Sequence, residues 1–391
     1  MRALLPDRVA GGVPARPALH QRDLEALGPA PFLAYDLDVV ADRVAAFDRA
    51  FRGRVAVRYA VKCNPDSRVL QTVAGAGGGF EIASLAELDL AVAAGADPAD
   101  VLYSNPVKPP AHVAAAARRG LRRFAVDSPE ELAKVAEQAP GARVYVRLAV
   151  DDTSSRFPLS TKFGTTAEEA RRLLLAAPTL GLRPEGLTFH VGSQCTDPDA
   201  WAHAVRAVGP LLRELEGAGV RLRLLDLGGG FPARYAAAEQ LPDLDAVGAA
   251  VLAALDTLPY VPQDVVCEPG RALVAEAAVL GATVIGRAER SGRVWVYTDV
   301  GAYNGLMEAA QTGGRLAFPV WTSRDGHGGP NVRCTVTGPS CDSSDTLLRD
   351  ADLPADLQVG DRVFFGSAGA YSLCYASTFN GFPVPASLYL D

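Results

Sequence analysis

Short apolar strands alternate with alanine-rich helices over roughly residues 31–270 of this 391-residue chain, and this alternation limits the possible folds more than any other feature. Strand-like runs occupy residues 32–35, 55–61, 79–82, 101–103, 123–126, 143–148, 186–190, 222–227 and 264–267. The eight runs from 55–61 onward suit a parallel sheet covered by helices, which favours a closed (β/α)8 barrel over an open doubly wound sheet. The sequence therefore predicts an α/β fold with a TIM-like barrel over residues 30–275.

After residue 271 the pattern changes to valine-rich strands that follow one another without helices between them. These runs are residues 278–288, 293–299, 315–322, 332–337 and 362–366. They predict a C-terminal all-β domain over residues 276–391. Residues 1–29 place a few apolar positions among proline, glycine and arginine, and we expect them to pack on this β-domain.

Composition excludes several classes of function. A net charge of −7 without a basic cluster argues against nucleic acid or an anionic membrane as a partner. No apolar run approaches the length of a membrane span, and the N-terminus does not resemble a signal peptide, so a soluble cytoplasmic protein is expected. The six cysteines lack CxxC or metal-like spacing, which predicts reduced thiols and no structural metal.

Lys62 directly follows the apolar run at residues 55–61. It therefore lies at the end of a strand, and barrels of this type keep their active sites at strand ends. Lysine is rare here: only four of the 38 lysine and arginine residues are lysine, and arginine cannot form a Schiff base. We expect partial desolvation to lower the pKa of Lys62, which would make its amine a nucleophile toward an aldehyde such as pyridoxal phosphate. The structural alternative is a lysine that extends from a strand end into water.

Other chemically capable residues follow the ends of later strands. They are Glu81, His190 with the Gly-Ser that follows it, the Gly228–Gly230 turn, and Glu268 with Arg271. Each alone has a structural alternative: a core histidine, a tight turn or surface charges. The glycine turn lacks the lysine of a P-loop and the spacing of a dinucleotide site, which disfavours ATP and NAD. Together they could provide a phosphate cradle, a ring-facing histidine and a pyridinium partner, and this set fits pyridoxal phosphate best.

At this point the chain resembles the ornithine/diaminopimelate/arginine decarboxylase family, and the ornithine decarboxylases most. These are pyridoxal phosphate enzymes of fold type III, with an alanine-racemase-like barrel and a β-domain. The likeness runs from about Phe32 to the C-terminus. It is carried by YAVKCN (59–64), HVGS (190–193), GGGFP (228–232), EPGR (268–271), GPSCD (338–342), GAY (369–371) and STFNGF (377–382).

The resemblance implies roles for the residues at the strand ends. Lys62 would carry the cofactor, His190 would stack on its ring, and Glu268 would bind the ring nitrogen. Glu81 stands where relatives often have an aspartate. Those expected to hold the phosphate are Ser193, Gly230, Arg271 and Tyr371, and further cofactor contacts are expected from Arg147, Gly229 and Gly270.

The resemblance also implies a homodimer with shared active sites. Cys341 and Asp342 would cross a head-to-tail interface into the partner's site, where Cys341 would deliver a proton to the substrate Cα; a thiol can hold and release a proton near neutral pH. Lys162 and Asp345 would pair across the same interface.

Three residues are expected to bind the substrate: Asp299, Asp342 and Phe379. Two carboxylates suit a distal ammonium and would repel the distal carboxylate of diaminopimelate unless an arginine intervened. The expected reaction is therefore decarboxylation of ornithine to putrescine, a step of polyamine biosynthesis.

Alternatives remain open at this stage. One methylene separates ornithine from lysine, worth roughly 1–3 kcal/mol in a shaped pocket, so lysine, another diamino acid or a carrier-bound amino acid is possible. A catalytically dead regulatory homologue would be expected to have lost Lys62, Cys341 or the phosphate cradle. A racemase would need a tyrosine or another base instead of the Cys341-Asp342 pair.

Overall fold

A computed structural model describes residues 24, 27–235, 240–325 and 329–390. The strands are β1 (Phe32–Asp36), β2 (Ala56–Ala60), β3 (Gly79–Ile82), β4 (Leu102–Tyr103), β5 (Arg123–Val126), β6 (Arg143–Arg147), β7 (Ser155–Phe157), β8 (Arg183–Thr188), β9 (Ser193–Cys195), β10 (Leu224–Asp226), β11 (Asp264–Cys267), β12 (Ala278–Arg290), β13 (Arg293–Thr298), β14 (Val320–Thr322), β15 (Asn331–Thr337), β16 (Thr346–Pro354), β17 (Arg362–Phe365) and β18 (Ala386–Leu390). The α-helices are α1 (Leu37–Ala50), α2 (Ser67–Gly75), α3 (Leu85–Ala93), α4 (Pro110–Arg118), α5 (Pro129–Gln138), α6 (Ala167–Ala176), α7 (Ala200–Gly217), α8 (Leu244–Leu255), α9 (Arg271–Val274) and α10 (Met307–Gln311).

Eight parallel strands close into a barrel in the order β2-β3-β4-β5-β6-β8-β10-β11, which confirms the predicted fold class. The barrel lies in one compact unit, residues 41–232 and 241–270. Buried apolar side chains from several strands pack together, as a barrel of this size requires. One such buried cluster consists of Leu102, Ala125, Tyr145, Leu224 and Val266.

Polar caps explain why helices begin soon after several of these strands. Asp66, Ser84, Ser128 and Thr166 each accept a backbone N–H bond in the first turn of α2, α3, α5 and α6, respectively. Such a cap satisfies an amide that the helix itself leaves unpaired. Each strand end is thereby fixed next to a helix start, and the connecting residues hold defined positions at the rim of the barrel.

The second unit comprises residues 1–40, 233–240 and 271–391, and its described part is mostly sheet. Its strand order is β14-β17-β12-β13-β15-β16, and β1 pairs with β12 and β18. Of the run predicted at 315–322, only β14 is a strand, and β16 and β18 were not predicted. Two short helices, α9 and α10, also belong to this unit, so it is not purely β.

Most of residues 1–29, predicted to pack on the β-domain, lie outside the described part of the chain. Leu24 is described, and it is buried against Phe32, Val279 and Phe364. Among the described helices, none has the length and apolar character needed to cross a bilayer.

Candidate active site

Lys62 lies in a single 3-10 turn, Val61–Cys63, directly after β2. Its Nζ is 2.5 Å from Oε2 of Glu81 on the neighbouring strand β3. The Lys62 side chain is 44% exposed, whereas that of Glu81 is 2% exposed. The predicted fall in the pKa of Lys62 is wrong for this state: burial lowers the pKa, but Glu81 and then Glu268 raise it by more. Lys62 is therefore an accessible ammonium that Glu81 holds in place.

His190 follows β8 by two residues and has a neutral imidazole. Its Nδ1 accepts the backbone N–H of Gly192 at 3.0 Å, so the proton of the neutral ring belongs on Nε2. Burial lowers the pKa of His190 to about 3, with further lowering by the positive charges of Arg147 and Lys62. A flat, neutral ring near Lys62 suits the stacking role expected for it.

Glu268 directly follows β11 and is buried. Its Oε1 accepts a hydrogen bond from the Ser104 hydroxyl, whose oxygen is 2.8 Å from that of Tyr145. Burial, and then the negative charges of Asp226 and Glu81, raise the pKa of Glu268 well above its ordinary value. A carboxyl group that retains a proton suits a partner of a pyridine nitrogen. The sequence did not point to Asp226, because its pairing with Glu268 joins two separate strands.

The loops after β8 and β10 contain Gly192, Gly229 and Gly230. Backbone conformation and close packing explain why these positions are glycine. Gly192 and Gly230 have φ of +83° and +104°, in the left-handed region. A Cβ on Gly229 would lie 2.9 Å from Nε2 of His190, and one on Gly230 would lie 2.5 Å from the carbonyl oxygen of Gly192. Any side chain would therefore fill the space between the loops after β8 and β10. Ser193 begins β9, directly after the first of these loops.

Arg271, the first residue of α9, has an unexpected partner in its own unit. Its two terminal nitrogens bind Glu308, with Nη1 to Oε2 at 2.7 Å and Nη2 to Oε1 at 2.5 Å. The guanidinium also lies 4.8 Å from the ring centroid of Tyr371, which has a positive φ of 54°. Nε of Arg271 is buried and has no hydrogen-bond partner among the described residues. Sequence reasoning missed Glu308, because nothing local marks an acid of α10 as a partner of α9.

Two further cofactor candidates have other contacts in the structure. A Cβ on Gly270 would lie 2.9 Å from Cβ of Cys63, so packing against Cys63 alone accounts for a glycine there. Arg147 ends β6, and its guanidinium lies 5.5 Å from the ring centroid of Phe163. Contacts from both to a cofactor stay predictions.

Three of the predicted residues lie together on the second unit: Cys341, Asp342 and Phe379. Tyr303 joins two of them, since its hydroxyl donates to Oδ2 of Asp342 at 2.8 Å and its ring centroid is 4.8 Å from that of Phe379. Sγ of Cys341 is 3.5 Å from Oδ1 of Asn380, and Cys341 is exposed. Sequence reasoning quoted Asn380 only as part of a motif and did not single out Tyr303.

The structure gives two predicted acids internal roles. Oδ1 of Asp299 accepts the backbone N–H of Thr283 at 2.7 Å, which joins the end of β13 to β12, and burial raises the pKa of Asp299. Asp345 is buried and accepts the N–H groups of Ala302 at 2.7 Å and Ser340 at 3.0 Å. Substrate binding by Asp299 and pairing of Asp345 with Lys162 remain predictions.

The residues present fit the expected cofactor. The barrel unit supplies an accessible amine, a neutral imidazole, a protonated carboxyl group and a glycine cradle into which no Cβ fits. Amine, imidazole, carboxyl group and anion-binding groups are the donor set that pyridoxal phosphate needs.

Comparisons with known proteins agree with this chemistry. Residues 37–275 match the family described as pyridoxal-dependent decarboxylase, pyridoxal binding domain. The chain is 37% identical over 379 residues to the lysine/ornithine decarboxylase of Selenomonas ruminantium, covering 95% of this chain and 93% of that protein. It is 35% identical over 351 residues to the ornithine decarboxylase of Schizosaccharomyces pombe, covering 86% of this chain and 78% of that protein. The structure of the lysine/ornithine decarboxylase from Vibrio vulnificus complexed with putrescine superposes with a TM-score of 0.84 at 31% identity, covering 95% of this chain and 97% of that one.

Proposed function

The chain belongs to the pyridoxal-dependent decarboxylases that act on basic amino acids, and from that membership we propose that its substrate is ornithine, converted to putrescine and carbon dioxide. The Lys62–Glu81 pair, located in the region that matches the family and at the same barrel rim as His190 and Glu268, supports the cofactor-dependent chemistry, and the choice of ornithine rests on the relatives. The names of the relatives from Selenomonas ruminantium and Schizosaccharomyces pombe both include ornithine.

Each residue of the barrel rim has one task in this proposal. Lys62 holds the cofactor through Nζ, and Glu81 keeps that nitrogen in place. His190 presents a neutral ring face, and Glu268 keeps a proton for the ring nitrogen. When bound, the cofactor supplies a sink for the electron pair that remains when the substrate carboxylate leaves as carbon dioxide.

Candidate phosphate-binding groups are considered in each unit by itself. In the barrel unit, Ser193 and Gly230 offer a hydroxyl group and a backbone amide. In the second unit, Arg271 offers Nε together with the two terminal nitrogens that now bind Glu308. Arginine can bind phosphate through two parallel N–H bonds, so Arg271 could bind a phosphate through Nε and one terminal nitrogen while keeping part of its bond to Glu308.

We place Cys341 and Asp342 in the partner's active site in a homodimer. Both are exposed in the single chain, as residues that reach another chain should be. Cys341 Sγ would give its proton to the substrate Cα after decarboxylation. Hydrogen bonds from the Ser344 amide and the Tyr303 hydroxyl lower the pKa of Asp342, so its carboxylate stays charged and can pair with a distal ammonium.

Lysine is the second candidate substrate, because the relative from Selenomonas ruminantium is named for both amino acids. It carries the same distal ammonium on a chain one methylene longer. A difference of that size in a shaped pocket changes kcat/KM by roughly 10- to 200-fold. A catalytically inactive regulatory role is disfavoured, since Lys62, Cys341 and the glycine cradle are all retained.

A product assay tests the proposal. The purified protein with pyridoxal phosphate is given ornithine, lysine, arginine or diaminopimelate, and the amine product and kcat/KM are measured for each. We expect putrescine from ornithine with the highest kcat/KM. A higher value for lysine would establish the alternative substrate. No product from any of the four, in a protein that binds the cofactor, would contradict the decarboxylase assignment.

A further inference from the structure

Asp226 and Glu268 form a buried acid pair at the ends of two neighbouring barrel strands. Asp226 is the last residue of β10 and is 0% exposed, while Glu268 directly follows β11 and is 8% exposed. Each carboxyl group lies within hydrogen-bonding reach of the other. Two carboxyl groups can share a hydrogen bond only if one of them carries a proton. The pair therefore holds one proton, and the surrounding hydrogen bonds identify its carrier.

Both oxygens of Asp226 already accept hydrogen bonds. Oδ1 accepts the backbone N–H of Gly228 at 2.9 Å, and Oδ2 accepts the Thr188 hydroxyl at 2.7 Å. An ionised carboxylate only accepts hydrogen bonds, and such a set of donors stabilises the ionised form. Asp226 is therefore the charged member, and the shared proton belongs to Glu268.

Glu268 also takes part in hydrogen bonds on the side away from Asp226, and these donate toward the acid pair. Ser104 donates to Oε1 of Glu268, so the hydroxyl of Tyr145 must donate to Ser104. The chain of donors runs from Tyr145 through Ser104 and Glu268 and ends at Asp226. Buried networks of this kind fix the orientation of each member.

We propose that Asp226 is a positioning residue that keeps one proton on the carboxyl group of Glu268 before the cofactor binds. This inference rests on the proposed role of Glu268 toward the ring nitrogen. A cofactor that arrives with an unprotonated ring nitrogen would receive the proton of Glu268 on that nitrogen, which would leave Glu268 a carboxylate beside the carboxylate of Asp226. The site then takes no proton from solvent. Without Asp226 the proton has to be supplied with each binding event.

The charges around the pair agree with this direction. Burial and then the charge of Asp226 raise the pKa of Glu268 well above its ordinary value, whereas the pKa of Asp226 is raised only to about 6. Hydrogen bonds from Glu268, and then from Thr188 and Gly228, lower the pKa of Asp226 against the effect of burial. The other ionisable groups that interact with the pair are Arg58, Lys62, Glu81, Tyr145, Arg147 and Cys267.

Proton uptake on binding tests the inference. The probe is 4-deoxypyridoxine 5'-phosphate, which keeps the ring nitrogen and the phosphate but has no aldehyde to react with Lys62. Calorimetry at pH 8 in two buffers of different ionisation enthalpy gives the number of protons taken up. In Asp226→Asn the asparagine amide can donate to Glu268, which then ionises. This variant should take up about one proton more than wild type when it binds the probe. As the pH rises by one unit, its Kd for the probe should therefore increase about tenfold more than the Kd of wild type does.

Two further variants complete the design. Asp264→Asn changes a β11 aspartate that is paired with Arg123 at the opposite end of the barrel, and it should match wild type. Glu268→Gln should weaken probe binding. If it does, but Asp226→Asn takes up as many protons as wild type, the inference about Asp226 fails while the role of Glu268 stands. If Glu268→Gln changes neither quantity, the proposed role of Glu268 fails.

Infrared difference spectra of the wild-type protein give a measurement that needs no variant, in case Asp226→Asn does not fold. A protonated carboxyl group has a carbonyl stretching band that a carboxylate lacks. We expect this band before the probe is added and its loss when the probe binds. A spectrum without this loss would overturn the inference.

Discussion

The guanidinium of Arg271 and the carboxylate of Glu308 form a buried ion pair with two parallel hydrogen bonds, of 2.7 and 2.5 Å. Side-chain exposure is 5% for Arg271 and 11% for Glu308. Arg271 is also the residue proposed to bind the cofactor phosphate. Glu308 and a phosphate are both anions, and a phosphate bound through Nε and one terminal nitrogen would displace Glu308 from that nitrogen. The strength of phosphate binding should therefore depend on Glu308.

Glu308→Gln should strengthen phosphate binding and lower the unfolding free energy of the cofactor-free protein. The glutamine no longer competes as an anion, so affinity for pyridoxal phosphate relative to pyridoxal should rise about tenfold, or about 1.4 kcal/mol. Breaking the buried pair leaves the charge of Arg271 without a counter-charge, although its Nη1 still donates to the Tyr235 hydroxyl, and this should cost roughly 3–5 kcal/mol of unfolding free energy. Titration with both compounds and urea unfolding measure the two effects.

Glu169→Gln provides the matched control for Glu308→Gln. Glu169 pairs with Arg172 on α6, where the arginine side chain is 62% exposed. Exposed pairs contribute little, so neither affinity nor stability should change appreciably. An unchanged ratio of the two affinities in Glu308→Gln would show that Arg271 does not bind the phosphate.

Lys62→Ala should abolish the visible absorption of the covalently held cofactor and lower turnover by several orders of magnitude, because Lys62 supplies the only lysine amine in a matching motif. Absorption spectra and kcat measure the two effects. Lys134→Ala removes a lysine that is paired with Glu131 on α5, and both properties should persist. A Lys62→Ala protein with normal absorption and turnover would disprove the assignment of Lys62.

The sequence predicted the barrel well because its information is local. Each barrel strand is a short apolar run next to a helix, and chemically capable residues such as Lys62, His190 and Glu268 lie within two residues of a strand end. Parallel strands bring their carboxyl ends to one rim, so these residues can be grouped from the sequence alone. β16 and β18 were missed because polar residues interrupt the first and the second is a short C-terminal strand.

Contacts between distant residues account for the errors at the site. Burial alone would lower the pKa of Lys62, and the opposite outcome depends on Glu81, 19 residues away on the next strand. The pairing of Arg271 with Glu308 joins residues 37 apart. Spacing along a chain does not specify which charges meet after folding, so these partners require the tertiary structure.

Asp299→Asn should raise the KM for a diamino acid more than it alters cofactor binding, because the lost charge is the one proposed to pair with the distal ammonium. Asparagine keeps an oxygen that can accept the Thr283 amide, so the sheet should survive. KM and the cofactor spectrum are measured together. Asp350→Asn, in an exposed pair with Arg293, is the control. An unchanged KM would assign recognition of the ammonium to Asp342.

His190 should make the cofactor-free protein less stable in mild acid. Its pKa is about 3 when folded, against an ordinary value of 6.5, so between these values the unfolded chain binds a proton that the folded chain excludes. The stability that depends on a neutral His190 is fully present above pH 6.5, and it is lost as the pH falls toward 3. His190→Phe should therefore reduce the loss of unfolding free energy between pH 7.5 and 5, measured with urea. His203→Phe, on α7, should not. Equal losses in all three proteins would contradict the lowered pKa.

Shared active sites require Lys62 from one chain and Cys341 from the other, so inactive Lys62→Ala and Cys341→Ala proteins should complement each other after subunit exchange. Random pairing makes about half of the dimers mixed, and each mixed dimer has one site with neither change. About a quarter of wild-type activity should therefore return.

Mixing Lys62→Ala with Glu268→Gln is the control for complementation. Both changes lie in the barrel unit, so every site of a mixed dimer keeps one of them and no activity should return. Exchange is verified by mass spectrometry of chains with different tags. If exchange occurs and the Lys62→Ala and Cys341→Ala mixture stays as inactive as the control, both residues act within one chain. The exposed positions of Cys341 and Asp342 would then need another explanation, because their proposed contact with the partner's substrate would be excluded.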